Sequence, residues 1–186
     1  MNEGRVSTVL GLPGIPAEAE EIVVARDLAL AKLTGARLHV QHVSTAGSVE
    51  LIRRAKEQGI AVTAEVTPHH LVLTDEAVKS YHPDFKVNPP LRTKSDVRAC
   101  VAGLRDGIID AIASDHAPHL AEEKEVEFGS APCGVIGLET SLGVVLTELV
   151  AGGDISLERA VRAMTEAPAG ILGLGRGSLR PGQPGD

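Results

Sequence analysis

The apolar run Ala111-Ile112-Ala113 ends on Ser114, Asp115 and His116, with His119 three residues further on. Carboxylates and imidazoles are ligands for divalent metals, and a carboxylate beside a metal can also carry protons. A carboxylate closing a buried strand is costly unless it is solvated, paired or metal-bound. Either the stretch is a polar loop cap, or the strand delivers ligands into a cleft. Other candidates stand in similar places. LHVQHVST holds His39 and His42; strand alternation predicts that they point to opposite faces, with His42 at the strand end the better ligand. A satisfied core or capping histidine is the alternative there. EVTPHHL places Glu65 in a strand and His69-His70 beyond a proline, which reads either as a turn or as residues that support the ligands or touch the substrate. VNPPLR sets Asn88 and Arg92 around a rigid Pro89-Pro90 turn, suited to presenting an amide to a polar substrate. Arg92 reads equally well as a structural ion-pair partner.

These residues need elements to hold them. Periodicity predicts a helix from about Ala17 to Gly35 with Ile22, Ala25, Ala29 and Leu33 on its inner face. A strand is predicted over 37–43, then a helix over 47–59 with Val49, Ile52 and Ala55 inward and Gly59 as its stop. A second strand covers 60–66. Thr74 is placed to cap a short helix over 74–81. Residues 85–90 read as extended, because prolines forbid helix there. A helix capped by Ser95 runs to Gly107, and a strand over 108–114 follows. Two helices, 137–153 and 156–173, close the pattern. Strands alternating with helices imply a parallel sheet with covering helices. The candidate residues gather just past the strands, where barrels and open sheets alike place their ligands.

The totals narrow the classes. The chain has 186 residues, a formal charge of −7 and two cysteines, Cys100 and Cys133, outside any C-x-x-C pair. An acidic balance without basic, aromatic-interleaved runs argues against nucleic-acid and membrane-surface binding. No apolar run reaches the length of a membrane span, and no signal-peptide layout opens the chain, so the expectation is a cytoplasmic location. No G-x-G-x-x-G or phosphate-binding loop occurs. A full eight-fold barrel needs about 250 residues, whereas only some four strand positions are readable here. The sequence therefore reads as about half a barrel, truncated at both ends.

HVST, AEVTPHHL, KVNPPLR and IASDHAPH, in this order and spacing, resemble the second half of the class I dihydroorotases of the amidohydrolase superfamily. The resemblance runs from GIPAEAEEIVVARDLALA through PCGVIGLET to GSLRPG. It implies an α/β fold, a (β/α)8 TIM barrel of the metal-dependent hydrolase type, present as roughly its C-terminal half over 1–175. Residues 176–186 would start a C-terminal β-segment. The implied activity is zinc-dependent, reversible cyclisation of N-carbamoyl-L-aspartate to L-dihydroorotate in pyrimidine biosynthesis. By the same resemblance His42 is a zinc ligand, and Asp115 is both a zinc ligand and the catalytic proton shuttle. Asn88 and His119 would hold the substrate, and Cys133 and Gly134 would contact it through backbone. One or two Zn2+ ions are implied, with most ligands outside this chain: the family's H-x-H pair, bridging carboxylate, further histidine and substrate arginine are all missing. The chain alone is accordingly expected to be inactive. Implied partners are the small-molecule substrate and either a second copy in a homodimer or aspartate transcarbamoylase. The alternatives are a non-catalytic dihydroorotase-like partner of that transcarbamoylase, or a hydantoinase- or allantoinase-type cyclic amidohydrolase.

Overall fold

Three short parallel strands carry the architecture of this computed structural model, which describes residues 1–178 and 180–182. They are β1 (Leu38–Val40), β2 (Val62–Val66) and β3 (Ala111–Ile112), hydrogen-bonded in the order β1-β2-β3. Leu38 pairs with Val62 and Val40 with Ala64, while Glu65 pairs with Ala111 and Val66 with Ile112. Parallel strands need crossover connections, and helices supply them here. The extended stretch over 85–90 does not join the sheet. It is a loop with a cis bond between Asn88 and Pro89, and prolines lack the N–H that a sheet position requires. The expected β-segment over 176–186 lies partly outside the described residues.

Two helices precede the sheet, α1 (Arg5–Leu10) and α2 (Glu18–Thr34). The first was not expected from the pattern. The second stops at Gly35, which takes the left-handed conformation predicted for a terminator. Its inner face is not the expected one: Val24, Leu28 and Ala31 are buried, whereas Ile22 and Leu33 are 69% and 80% exposed. The helix α3 (Ala46–Glu57) joins β1 to β2 and buries Val49, Ile52 and Ala55 as expected. Past β2 comes the single turn α4 (Pro68–Val72), and the segment over Asp75–Ser80 is a 3-10 helix.

The next crossover helix, α5 (Lys94–Arg105), is capped by Thr93 and not by Ser95. Thr93 and Asp96 form a reciprocal cap: the Asp96 amide donates to Thr93 Oγ1 and the Thr93 amide donates to Asp96 Oδ2. The other Asp96 oxygen accepts the Ala46 amide at 3.0 Å and so fastens the start of α3 to the start of α5. After β3 follow α6 (Ala121–Lys124), α7 (Ser141–Val144) with a π-helical continuation over Val145–Val150, α8 (Leu157–Met164) and α9 (Glu166–Leu172). The helix expected over 156–173 is broken at Thr165, between α8 and α9. The core lies where α3, α5, α7 and α8 meet the sheet; Ile52, Ala64, Val66, Cys100, Leu104, Ile109, Val145 and Ala163 are fully buried there. Among the described residues, no helix is long and apolar enough to cross a membrane.

Candidate active site

The loops past the carboxyl ends of the three strands carry His42, the His69-His70 pair and the segment from Asp115 to His119. His42 and Asp115 share an uncommon backbone. Their φ angles are +50° and +47°, a left-handed conformation that non-glycine residues adopt infrequently and that collects at functional sites. Both turns are held by neighbours. After His42, the Val43 amide donates to the Glu65 carbonyl at 2.9 Å, and the Ser44 and Thr45 amides donate to the Glu20 carboxylate. Beyond Asp115, His116 bridges to Val135, and its Nδ1 accepts the Gly137 and Leu138 amides at 3.1 and 3.2 Å.

The two turns bring His42 Nε2 within 3.7 Å of Asp115 Oδ1. That is too long for a hydrogen bond. It suits two ligands of one tetrahedral zinc, whose nitrogen and oxygen donors lie ~3.4 Å apart when each bond is about 2.1 Å. The donor chemistry therefore fits a metal at this point as far as two ligands go. Among the described residues, no group of three or more His, Cys, Asp or Glu side chains is arranged to hold a metal ion.

His39 and His42 do not diverge as alternation predicted. His39 Nε2 and His42 Nδ1 each lie 3.1 Å from an oxygen of the same carboxylate, that of Glu65. The strand ends at Val40, and the left-handed turn at His42 swings its ring back over β2. His42 Nδ1 is buried and sits off the line of a well-formed hydrogen bond, although Glu65 is at contact distance. The Glu65 contact, aided by Asp115 and opposed by burial, raises the His42 imidazole above its ordinary pKa. For Glu65 the largest single influence is burial, which works upward; His42 and His39 together outweigh it and hold the carboxyl below its usual range. Sequence reasoning named these three residues but paired Glu65 with His70 and not with the two imidazoles of β1 and its loop. The signal was available, because Thr63 and Glu65 share one face of β2 and His39 is the register partner of Thr63.

His70 turns away from Glu65 toward the asparagine loop. Its Nε2 donates to the Pro89 carbonyl at 2.9 Å and its Nδ1 meets Thr67 Oγ1 at 2.7 Å. Burial pushes its pKa down to about 4. The neighbouring His69 is also buried, with Nε2 unpartnered among the described residues, and burial with nearby His70 takes it down to about 3. Arg92 proves to be a structural clamp: fully buried, it donates to Asn2, the Ile15 carbonyl and Ser44. The loop is thus held at Pro89 and Arg92, just past Asn88, while the Asn88 side chain stays exposed.

His119, Cys133 and Gly134 come together. His119 Nε2 donates to the Cys133 carbonyl at 2.9 Å, and the Gly134 amide donates to the Lys86 carbonyl at 2.9 Å. Gly134 has a φ of +142°, and a Cβ there would lie 2.6 Å from the Ala117 carbonyl oxygen. His119 and Gly134 line a cleft of about 650 Å³ with His82, Ala117, Lys124 and Ile136. Asn88 lines a different one, of about 380 Å³, with His39, Gln41 and Arg92. The structure therefore joins His42 to Asp115 and His119 to Cys133, while Asn88 and His119 line different clefts.

Residues 15–186 match the amidohydrolase family. The chain is 60% identical over 186 residues to the dihydroorotase of Pelotomaculum thermopropionicum, covering all of this chain and 44% of that protein. The dihydroorotase of Caldanaerobacter subterraneus subsp. tengcongensis is 56% identical, with 100% of this chain and 43% of the relative covered. The chain thus spans less than half the length of these curated relatives. Among solved structures it is similar to the L-hydantoinase (dihydropyrimidinase) from Arthrobacter aurescens, with a TM-score of 0.85 and 38% identity over 89% of this chain and 38% of that one. The dihydropyrimidinase from Brevibacillus agri NCHU1002 gives a TM-score of 0.86 at 31% identity, over 92% and 39% of the two chains.

Proposed function

The chain belongs to the amidohydrolase family, and from that premise we propose that it carries part of the active site of a dihydroorotase, which interconverts N-carbamoyl-L-aspartate and L-dihydroorotate. The observation that supports this most is the approach of His42 to Asp115, each in a left-handed turn at the end of a parallel strand. In this reading His42 and Asp115 would hold zinc together with ligands from elsewhere. When bound, the metal would polarise the scissile carbonyl and acidify the attacking water.

Asp115 is the proton carrier. In ring opening its carboxylate takes the proton of the attacking water as the new C–O bond forms, then returns it to the ring nitrogen as the C–N bond breaks. The products are a carbamoyl NH2 and a carboxyl group that ionises, releasing the second proton of the water to solvent; ring closure takes that proton up again, reverses each step and expels water. Asn88 and His119, from the different clefts that they line in this chain, would reach the carboxylate and polar edge of the substrate, with the backbone at Cys133 and Gly134 beside His119. His119 Nε2 now serves the Cys133 carbonyl, so binding exchanges or shares that bond.

A chimera tests this. Placed in the Pelotomaculum dihydroorotase in exchange for the segment it matches, the chain is expected to support ring closure, and Asp115→Asn is expected to abolish it without loss of folding. A folded, zinc-loaded chimera without cyclase activity would refute the proposal. Hydantoin turnover in its place would favour the hydantoinase reading, which the likeness to the two solved structures supports. Activation of aspartate transcarbamoylase by an inert chimera would favour a non-catalytic partner.

A further inference from the structure

Glu65 has no role in the site as proposed, yet its surroundings are specific. Its side chain is 14% exposed, and a carboxylate so placed needs partners. Each of its oxygens faces one imidazole, Oε2 toward His39 Nε2 and Oε1 toward His42 Nδ1, both at 3.1 Å. His39 is itself held at its other nitrogen, where Nδ1 meets Thr63 Oγ1 at 2.8 Å. Because a carboxylate only accepts, His39 Nε2 is the N–H that points at Glu65. One carboxylate oxygen is therefore occupied, and the other is presented to His42.

Resting on the dihydroorotase reading, we infer that Glu65 is the positioning residue for His42, the carboxylate that keeps the ring proton on Nδ1 and leaves the Nε2 lone pair facing Asp115. The acceptor lying against the buried Nδ1 is Glu65 Oε1. A histidine that ligates through one nitrogen commonly gives its other N–H to a carboxylate, which fixes tautomer and ring direction. Glu65 is not itself a ligand, because both oxygens are turned to imidazoles. Glutamine cannot take its place: it has one acceptor oxygen, and its NH2 must face a ring that then has to offer a lone pair. Thr63, His39 and Glu65 thus form one hydrogen-bonded series, and the free oxygen of Glu65 faces His42 Nδ1 across a 3.1 Å contact.

The test is long-range 1H–15N spectroscopy of the histidine rings in this chain without metal, in mildly alkaline solution where imidazoles are neutral. The parent is expected to show His42 protonated at Nδ1, and Glu65→Gln is expected to move the proton of His42 or His39 to the other nitrogen. Zinc titrated into the same samples and followed at His42 should bind about 10–100-fold more weakly in the variant. A parent His42 carrying its proton on Nε2 overturns the proposal whatever the variant does. So does a folded Glu65→Gln chain in which both rings keep their tautomers. Should that variant not fold, Glu65→Asp replaces it, since the shorter chain retains the charge but cannot span both rings. Failure of the dihydroorotase reading would appear in the chimera assay and leave these ring signals unchanged, so the two failures are separable.

Discussion

Removing the titration of His70 should lessen the acid sensitivity of this fold, with the contribution of buried His69 remaining. The ring is buried beside the Thr67 hydroxyl and the Pro89 carbonyl, and burial lowers its pKa from 6.5 to about 4. Glu20 facing it favours the charged form, while His42 and Arg92 oppose it. The unfolded chain therefore takes up a proton near pH 6.5 that the folded chain refuses until about pH 4. Stability is complete above pH 6.5 and falls as the pH drops through that window, because the unfolded state binds more protons. With one pKa unit worth about 1.4 kcal/mol, His70 alone removes about 2.5 kcal/mol between pH 7.5 and 4.5. His70→Gln keeps a donor for the Pro89 carbonyl and cannot titrate. Urea unfolding of both chains across that range measures the difference in slope. Parallel curves would refute the burial account, and with it the view that a neutral imidazole holds the asparagine loop.

Gly134→Ala should lower the melting temperature, with a cost of about 1–3 kcal/mol, because the new methyl meets the Ala117 carbonyl and crowds His119; an unchanged melting curve would mean that the two loops are not packed as described. Ile52→Ala, at a fully buried core position, should cost about 2–5 kcal/mol in denaturant unfolding, and a loss under 1 kcal/mol would contradict its place in the core. Zinc measured by elemental analysis after dialysis of the isolated chain should be near zero, since no third donor joins His42 and Asp115 among the described residues. Stoichiometric zinc would show that other groups complete the site.

What was legible in advance follows from how strongly each feature constrains the chain. Gly35 and the inward row Val49, Ile52 and Ala55 were readable, because a left-handed stop and a one-sided apolar stripe each admit one solution. The face of α2 was not. Its apolar residues lie nearly all round the helix, so periodicity could not choose Val24 and Leu28 over Ile22 and Leu33. The residues at the strand ends were found by type and place, and His42 and Asp115 do approach each other. Glu65 was named as a candidate too, but its pairing with His42 was not foreseen, because the direction of His42 is set by one left-handed turn, to which strand alternation is blind. Separate clefts for Asn88 and His119 could not be foreseen either, since they depend on how far apart two loops are anchored.

The carboxylate of Asp96 caps the start of α5 and, through the Ala46 amide just past the His42 turn, ties down the start of α3. In evolutionary terms that makes position 96 a shared hinge of inheritance. Drift at the head of α5 is felt at once at the head of α3, and through it by the turn that aims His42. Among homologues, an exchange of Asp96 should come together with changes at Thr93 and in the 43–46 turn, and seldom alone.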